Sequence, residues 1–117
     1  MINTASGNGT LLSVERNMAG VHGGGLMLYD GSIVLVKDGA KFDLNHNVAY
    51  NSGGGAYLFR SGTVLAVRGA TTHLFAFNNT ATAHGGAIGL GPGSFAEIVA
   101  PSSFQENVAG RAGGVPS

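Results

Sequence analysis

The sequence predicts an all-β fold, a right-handed parallel β-helix of about three to four turns with three strands in each turn. Two observations lead to this expectation. The motif Asn, five residues, Gly-Gly occurs four times, at intervals of 30, 32 and 28 residues. In addition, 21 of the 117 residues are glycine, far above the usual share of about 7%. A fold that repeats one glycine-dependent corner in every turn explains both.

The spacing inside the motif is constant while the spacing between its copies drifts, which is typical of a coil with variable loops. We expect residues 1–11 to be an N-terminal extension or partial turn, followed by repeats at about 12–41, 42–72, 73–102 and 103–117, the last truncated. The motif residues are Asn17, Gly23, Gly24, Asn47, Gly53, Gly54, Asn79, Gly85, Gly86, Asn107, Gly113 and Gly114.

Alignment of the repeats on Gly-Gly predicts which side chains stack in the interior. Leu28, Leu58 and Leu90 fall in one column. A second column lies two residues earlier on the same strand, and residues two apart share a face. Strands of successive turns pair in parallel about 4.8 Å apart, so each column becomes a file of touching side chains. The predicted core stack is Leu26, Leu28, Phe42, Leu58, Phe75, Ile88, Leu90 and Phe104.

Glycine suits corners where φ is positive or backbones approach closely, and Asn tolerates left-handed turns and forms side-chain amide ladders. The third repeat is out of step by one residue, because Phe75 and Phe77 do not fall in the columns of Phe42 and Leu44. We expect a bulge near Asn78 to absorb the shift. A β-sandwich is the alternative fold, since short strands with frequent turns also describe it. A sandwich does not require the motif to recur in every turn.

Composition excludes several function classes. The chain has no Cys and a net charge of +0, so disulfides, thiolate chemistry and a basic nucleic-acid surface are not expected. No run is long enough for a membrane helix, and residues 1–4 do not begin a signal peptide. We therefore expect any export signal to lie upstream. No Gly-rich run continues as a phosphate-binding loop, and no cofactor is predicted.

The motif Phe-x-x-Asn alternates with a Gly-Gly-Ala-Ile type block, most clearly as Phe75 to Asn78 followed by Gly85 to Ile88. This combination resembles the repeats of chlamydial polymorphic outer membrane proteins, over roughly residues 12–117. The resemblance implies an autotransporter passenger with a β-helical fold, displayed at the cell surface or outer membrane or secreted as part of a longer precursor. It also implies adhesion to a protein or glycan on a host or neighbouring cell.

The candidate chemical groups do not form a convincing catalytic site. His22 and His84 would lie two turns apart, too far to share a zinc ion, and we expect both to be solvent-facing turn residues. No metal site is predicted. Lys37 and Arg68 occupy corresponding places after the third strand, about 5 Å apart in adjacent turns, where they could hold an acidic sugar. The aspartates do not form a matching column.

We therefore expect a non-catalytic adhesive module. Met27 and Tyr57 should point outward between the leucine columns, as a contact face. The alternative is a polysaccharide lyase or hydrolase acting on acidic glycans through Lys37, Arg68 and one aspartate. Partners would include flanking repeats of a longer chain, and open coil ends would favour self-association.

Overall fold

The computed structural model describes residues 2–110 and contains fifteen β-strands in this range. No helix in the described range is long and apolar enough to span a membrane. The strands are β1 Ile2–Ser6, β2 Leu11–Glu15, β3 Met18–Ala19, β4 Leu26–Tyr29, β5 Ile33–Lys37, β6 Lys41–Asn45, β7 Val48–Ala49, β8 Ala56–Phe59, β9 Val64–Arg68, β10 His73–Phe77, β11 Thr80–Ala81, β12 Ile88–Leu90, β13 Phe95–Val99, β14 Ser102–Gln105 and β15 Val108–Ala109.

The strands form four parallel sheets that wind into a β-solenoid of about three turns. Sheet A has the order β1-β5-β9-β13, sheet B β14-β10-β6-β2, sheet C β15-β11-β7-β3 and sheet D β12-β8-β4. Each turn passes through sheets B, C, D and A, and neighbouring strands of a sheet belong to successive turns. The predicted parallel β-helix with three strands per turn is confirmed, with a two-residue strand added in sheet C. Residues 2–6, expected to be an extension or partial turn, pair as β1 with β5.

The two predicted columns of sheet D are present, and all of their members except Leu90 belong to the core or pack against it. Leu28, Leu58 and Leu90 pair with one another across β4, β8 and β12. Leu58 is fully buried, whereas Leu90 at the last strand of the sheet is 38% exposed. Leu26 and Ile88 flank Ala56 in the second column. The buried side chains of these columns belong to one apolar core cluster inside the solenoid.

Sheet B corrects the predicted position of Phe75. Phe42 is fully buried and pairs with Leu74, whereas Phe75 pairs with Asp43 on the outer face. No bulge is needed, because β6 and β10 pair without interruption. Successive strand residues point to opposite faces, so a register one residue away from the expected one turns Phe75 from the core to the surface. Phe104 faces inward in the column of Ala76, as predicted, and packs against the core.

Glycine occupies corners that have no room for a side chain. A Cβ on Gly54 would lie 2.5 Å from the carbonyl oxygen of Thr80, and closer still to that of Gly86. Gly53 has φ +69°, the left-handed region that glycine adopts without a steric penalty. The corner before each motif Asn is also left-handed, and there the residue is not glycine. The residues concerned are Arg16, His46, Asn78 and Glu106.

Candidate functional site

The motif asparagines form a hydrogen-bonded ladder at one corner. The side-chain nitrogen of Asn47 donates to the side-chain oxygen of Asn79 at 3.0 Å, and Asn79 donates to Asn107 at 2.8 Å. Asn17 donates to Asn47 at 3.1 Å. Asn47 and Asn79 are fully buried, so the ladder satisfies polar groups that would otherwise be costly to bury. These residues stabilise the fold, and the motif glycines 113 and 114 lie outside the described residues.

The predicted contact face on sheet D exposes less surface than expected. Met27, Tyr57 and Gly89 form the expected outer column, and Met27 is 44% exposed. Tyr57 is only 9% exposed because the ring of His22 stacks on it, with centroids 4.3 Å apart. The expectation that His22 faces solvent is therefore wrong. Tyr57 packs against the solenoid and exposes little surface that a partner could contact.

An aromatic cluster beside Tyr57 was not predicted from the sequence. Phe59 stacks near Tyr29, with ring centroids 5.9 Å apart. The guanidinium of Arg60 lies 4.8 Å from the centre of the Tyr29 ring and also pairs with Asp30 at 3.3 Å. Cation–π contacts at exposed sites contribute about 0.5–1 kcal/mol. The Arg60 guanidinium therefore already contacts the Tyr29 ring and the Asp30 carboxylate.

Lys37 and Arg68 lie on adjacent strands, as expected, but each contacts a carboxylate. The ammonium nitrogen of Lys37 is 3.9 Å from the Asp38 carboxylate, and Arg68 pairs with Glu97. The four side chains together carry no net charge. This neutralisation weakens the interpretation that the two cations hold an acidic sugar.

His22 and His84 flank Ser52 through parallel bridges, two turns apart. The spacing is the expected one, and a zinc ion cannot join ligands at that separation. His84 is exposed, and it borders a cavity of about 270 Å³ beside Tyr57 and Ser52. Among residues 2–110, no group of three or more His, Cys, Asp or Glu side chains is placed to hold a metal ion.

The outer face of sheet B carries a line of aromatic side chains. His73, Phe75 and Phe77 alternate along β10 and all point outward, with successive ring centroids 5.8 Å and 6.1 Å apart. All three are partly exposed. We call these three side chains the aromatic stripe. The three rings form a continuous aromatic line on the outer surface of sheet B.

Polar side chains border the aromatic stripe on both neighbouring strands. On β6, Lys41, Asp43 and Asn45 pair with His73, Phe75 and Phe77 respectively. On β14, Ser103 pairs with Phe75 and Gln105 with Phe77. Neighbouring strands lie about 4.8 Å apart, so hydrogen-bonding side chains lie close to both sides of Phe75 and Phe77.

A cavity of about 250 Å³ opens at the Phe77 end of the stripe. Two polar atoms of this face are buried and lack a hydrogen-bond partner in the described structure, Oδ1 of Asn45 and Nδ1 of His73. Buried polar atoms are normally paired, so each exception requires an explanation. The cavity is lined by Asn45, His46, Phe77, Asn78, Gln105 and Glu106.

The sequence contains a signal for the direction of these side chains. Counting back three residues from the motif Asn gives Leu44 before Asn47 and Ala76 before Asn79. That count places Ala76 inward and the two phenylalanines beside it outward. The Phe-x-x-Asn match at Phe75 ends at Asn78 and not at the motif residue Asn79, so it is one residue out of register.

Comparison with family models, curated proteins and solved structures gave no match to this chain. The fold and the surface geometry are therefore the basis for a functional proposal.

Proposed function

We propose that this chain is a non-catalytic binding module of a surface-displayed protein, of the adhesin or autotransporter-passenger type. Its stacked turns hold partner-binding side chains on the outer faces of the sheets. The single observation that supports binding most directly is the aromatic stripe, which places three rings outward on β10 beside two unsatisfied polar atoms. Contiguous exposed apolar groups, unlike singly scattered ones, mark interaction sites.

The rigidity of the scaffold favours recognition by a preformed surface. Each strand of sheet B pairs with its counterpart in the next turn, and the asparagine ladder fixes the adjoining corner. Side chains on paired strands keep their relative positions, so little ordering is required when a partner binds. The expected partner is a protein or glycan on a host or neighbouring cell. The chain is expected at the cell surface or outer membrane, or secreted from the cell, as part of a longer precursor.

The alternative is an enzyme that acts on acidic glycans through Lys37, Arg68 and an aspartate. The ion pairs of Lys37 with Asp38 and of Arg68 with Glu97 weigh against it, because a substrate anion would have to displace both carboxylates. Incubation with acidic polysaccharides, followed by assays for unsaturated and reducing ends, tests for turnover. Turnover abolished by Lys37→Ala and by Arg68→Ala would overturn the non-catalytic proposal.

Bead adhesion tests the binding role. Beads coated with the full chain should adhere to cultured epithelial or bacterial cells severalfold more than albumin-coated beads. Soluble chain added in excess should reduce this adhesion, because it competes for the same receptors. Adhesion equal to that of albumin-coated beads on every cell type would contradict the proposed function.

A further inference from the structure

The outer face of sheet B combines an apolar centre with polar margins. Phe75 and Phe77 lie in the middle, with Asp43 and Asn45 on one neighbouring strand and Gln105 on the other. Ligand sites are generally apolar and aromatic, with a few polar groups that fix orientation. A sugar ring has the matching chemistry, because its C–H faces are apolar and its hydroxyl groups project from the rim.

We propose that the aromatic stripe and the adjoining cavity form a binding site for a neutral glycan. The ring faces of consecutive sugars contact Phe75 and Phe77, and their hydroxyl groups bind the side chains of the flanking strands. This inference rests on the proposed function and deepens it by naming the ligand class.

The unpaired amide oxygen of Asn45 indicates where one hydroxyl group binds. Asn45 lines the cavity, and its buried Oδ1 accepts no hydrogen bond from the described residues. Rotation of this amide into the cavity would let a sugar hydroxyl donate to the oxygen and would remove the cost of leaving it unpaired. The cavity of about 250 Å³ is smaller than the roughly 300–1,000 Å³ typical of pockets for drug-sized ligands. It is suited to a single ring at the end of a chain that continues along the stripe.

The charges around the stripe favour a neutral ligand. Lys41 lies on the same face as Glu15 and Asp43. Glu106 borders the cavity, and Arg16 occupies the corresponding corner beside Glu15. The three carboxylates outnumber the two cations and disfavour uronate or sulfate groups. The same carboxylates disfavour single-stranded nucleic acid, which needs a positively charged groove beside its stacking aromatics.

The width of the stripe favours a glycan over a folded protein. The apolar surface is one strand wide, with polar side chains on both adjacent strands. A stable protein interface covers about 800 Å² on each partner and has an apolar centre. A polysaccharide chain is narrow enough to follow a single strand, with its hydroxyl groups on both sides.

The site is tested by measuring the binding of the full chain to soluble neutral polysaccharides, by affinity electrophoresis and isothermal titration calorimetry. The four polysaccharides are a glucan, a mannan, a galactan and a xylan. Polygalacturonate is the acidic comparison. We expect binding to at least one neutral polysaccharide and a reduction in affinity of about tenfold in Phe75→Ala and in Phe77→Ala, from the loss of one stacked ring. Phe95→Ala is the matched control, because Phe95 is 55% exposed on β13 of sheet A. It should leave the affinity unchanged.

Circular dichroism and thermal unfolding of each variant verify that it is folded. The inference is overturned if no neutral polysaccharide binds, if only polygalacturonate binds, or if the folded Phe75 and Phe77 variants bind as tightly as the original chain.

Repeating the bead assay with these variants separates the two proposals. If the Phe75→Ala and Phe77→Ala variants still adhere and no glycan binds, the adhesive role is retained and the glycan site is eliminated. If a glycan binds but the chain does not adhere to cells, the glycan site is retained and the adhesive role is eliminated.

Discussion

The side-chain amides of Asn47 and Asn79 are joined by a hydrogen bond of 3.0 Å although 32 residues separate them in the chain. The oxygen of Asn79 also accepts the backbone N–H of Asn47 at 3.1 Å. Its nitrogen donates to the backbone carbonyl of Leu44 at 2.7 Å. One side chain thus connects three turns, since it also donates to Asn107.

Replacing Asn79 with Ala should lower the free energy of unfolding by about 3 kcal/mol or more, because several buried donors and acceptors lose their partner. Asn107→Ala should cost less, since Asn107 is only partly buried. Asn3→Ala is the exposed control on β1, with an expected loss below about 1 kcal/mol. Urea denaturation measures all three. Equal losses for Asn79 and Asn3 would show that the ladder does not stabilise the solenoid.

Leu58→Ala tests the interior column. Leu58 is fully buried between Leu28 and Leu90, so truncation leaves a cavity that the paired strands cannot close, and the expected loss is about 2–5 kcal/mol. Leu90→Ala should cost clearly less, because that side chain is 38% exposed. Thermal or urea unfolding gives the comparison. A greater loss at Leu90 would contradict the observed stacking.

Phe42→Ala and Phe75→Ala test the register of sheet B. Phe42 is fully buried, and its truncation should lower stability by about 3–5 kcal/mol. Phe75 points outward between His73 and Phe77, so its truncation should cost only about 1 kcal/mol of ring packing. The prediction fails if the two phenylalanines prove equally sensitive in chemical denaturation.

Gly54→Ala should prevent folding or destabilise the chain by about 3 kcal/mol or more, because the added methyl group would overlap backbone carbonyls of the next turn. Gly20→Ala provides the control, since a Cβ there meets no atom within 4 Å. The far-ultraviolet circular dichroism spectrum and the unfolding midpoint distinguish the two. A Gly54→Ala chain as stable as the original would mean that the corner relaxes easily.

The spacing of the repeated motif is enough to predict the parallel solenoid and the leucine columns of sheet D. A strand that begins at a fixed distance from Gly-Gly has its alternation set by that distance, so Leu28, Leu58 and Leu90 had to share a face. The recurring Asn likewise predicted an amide ladder, because identical residues at one corner stack when the turns stack.

Which side chains lie on the outer faces depends on contacts between turns. Phe75 points inward or outward according to a register shift of one residue, and the Phe-x-x-Asn match predicts the wrong direction. Tyr57 is buried in part by the His22 ring of the previous turn. The positive charge of Arg68 is balanced by the carboxylate of Glu97 in the next turn. Such contacts join side chains about thirty residues apart, and only the pairing of turns brings them together.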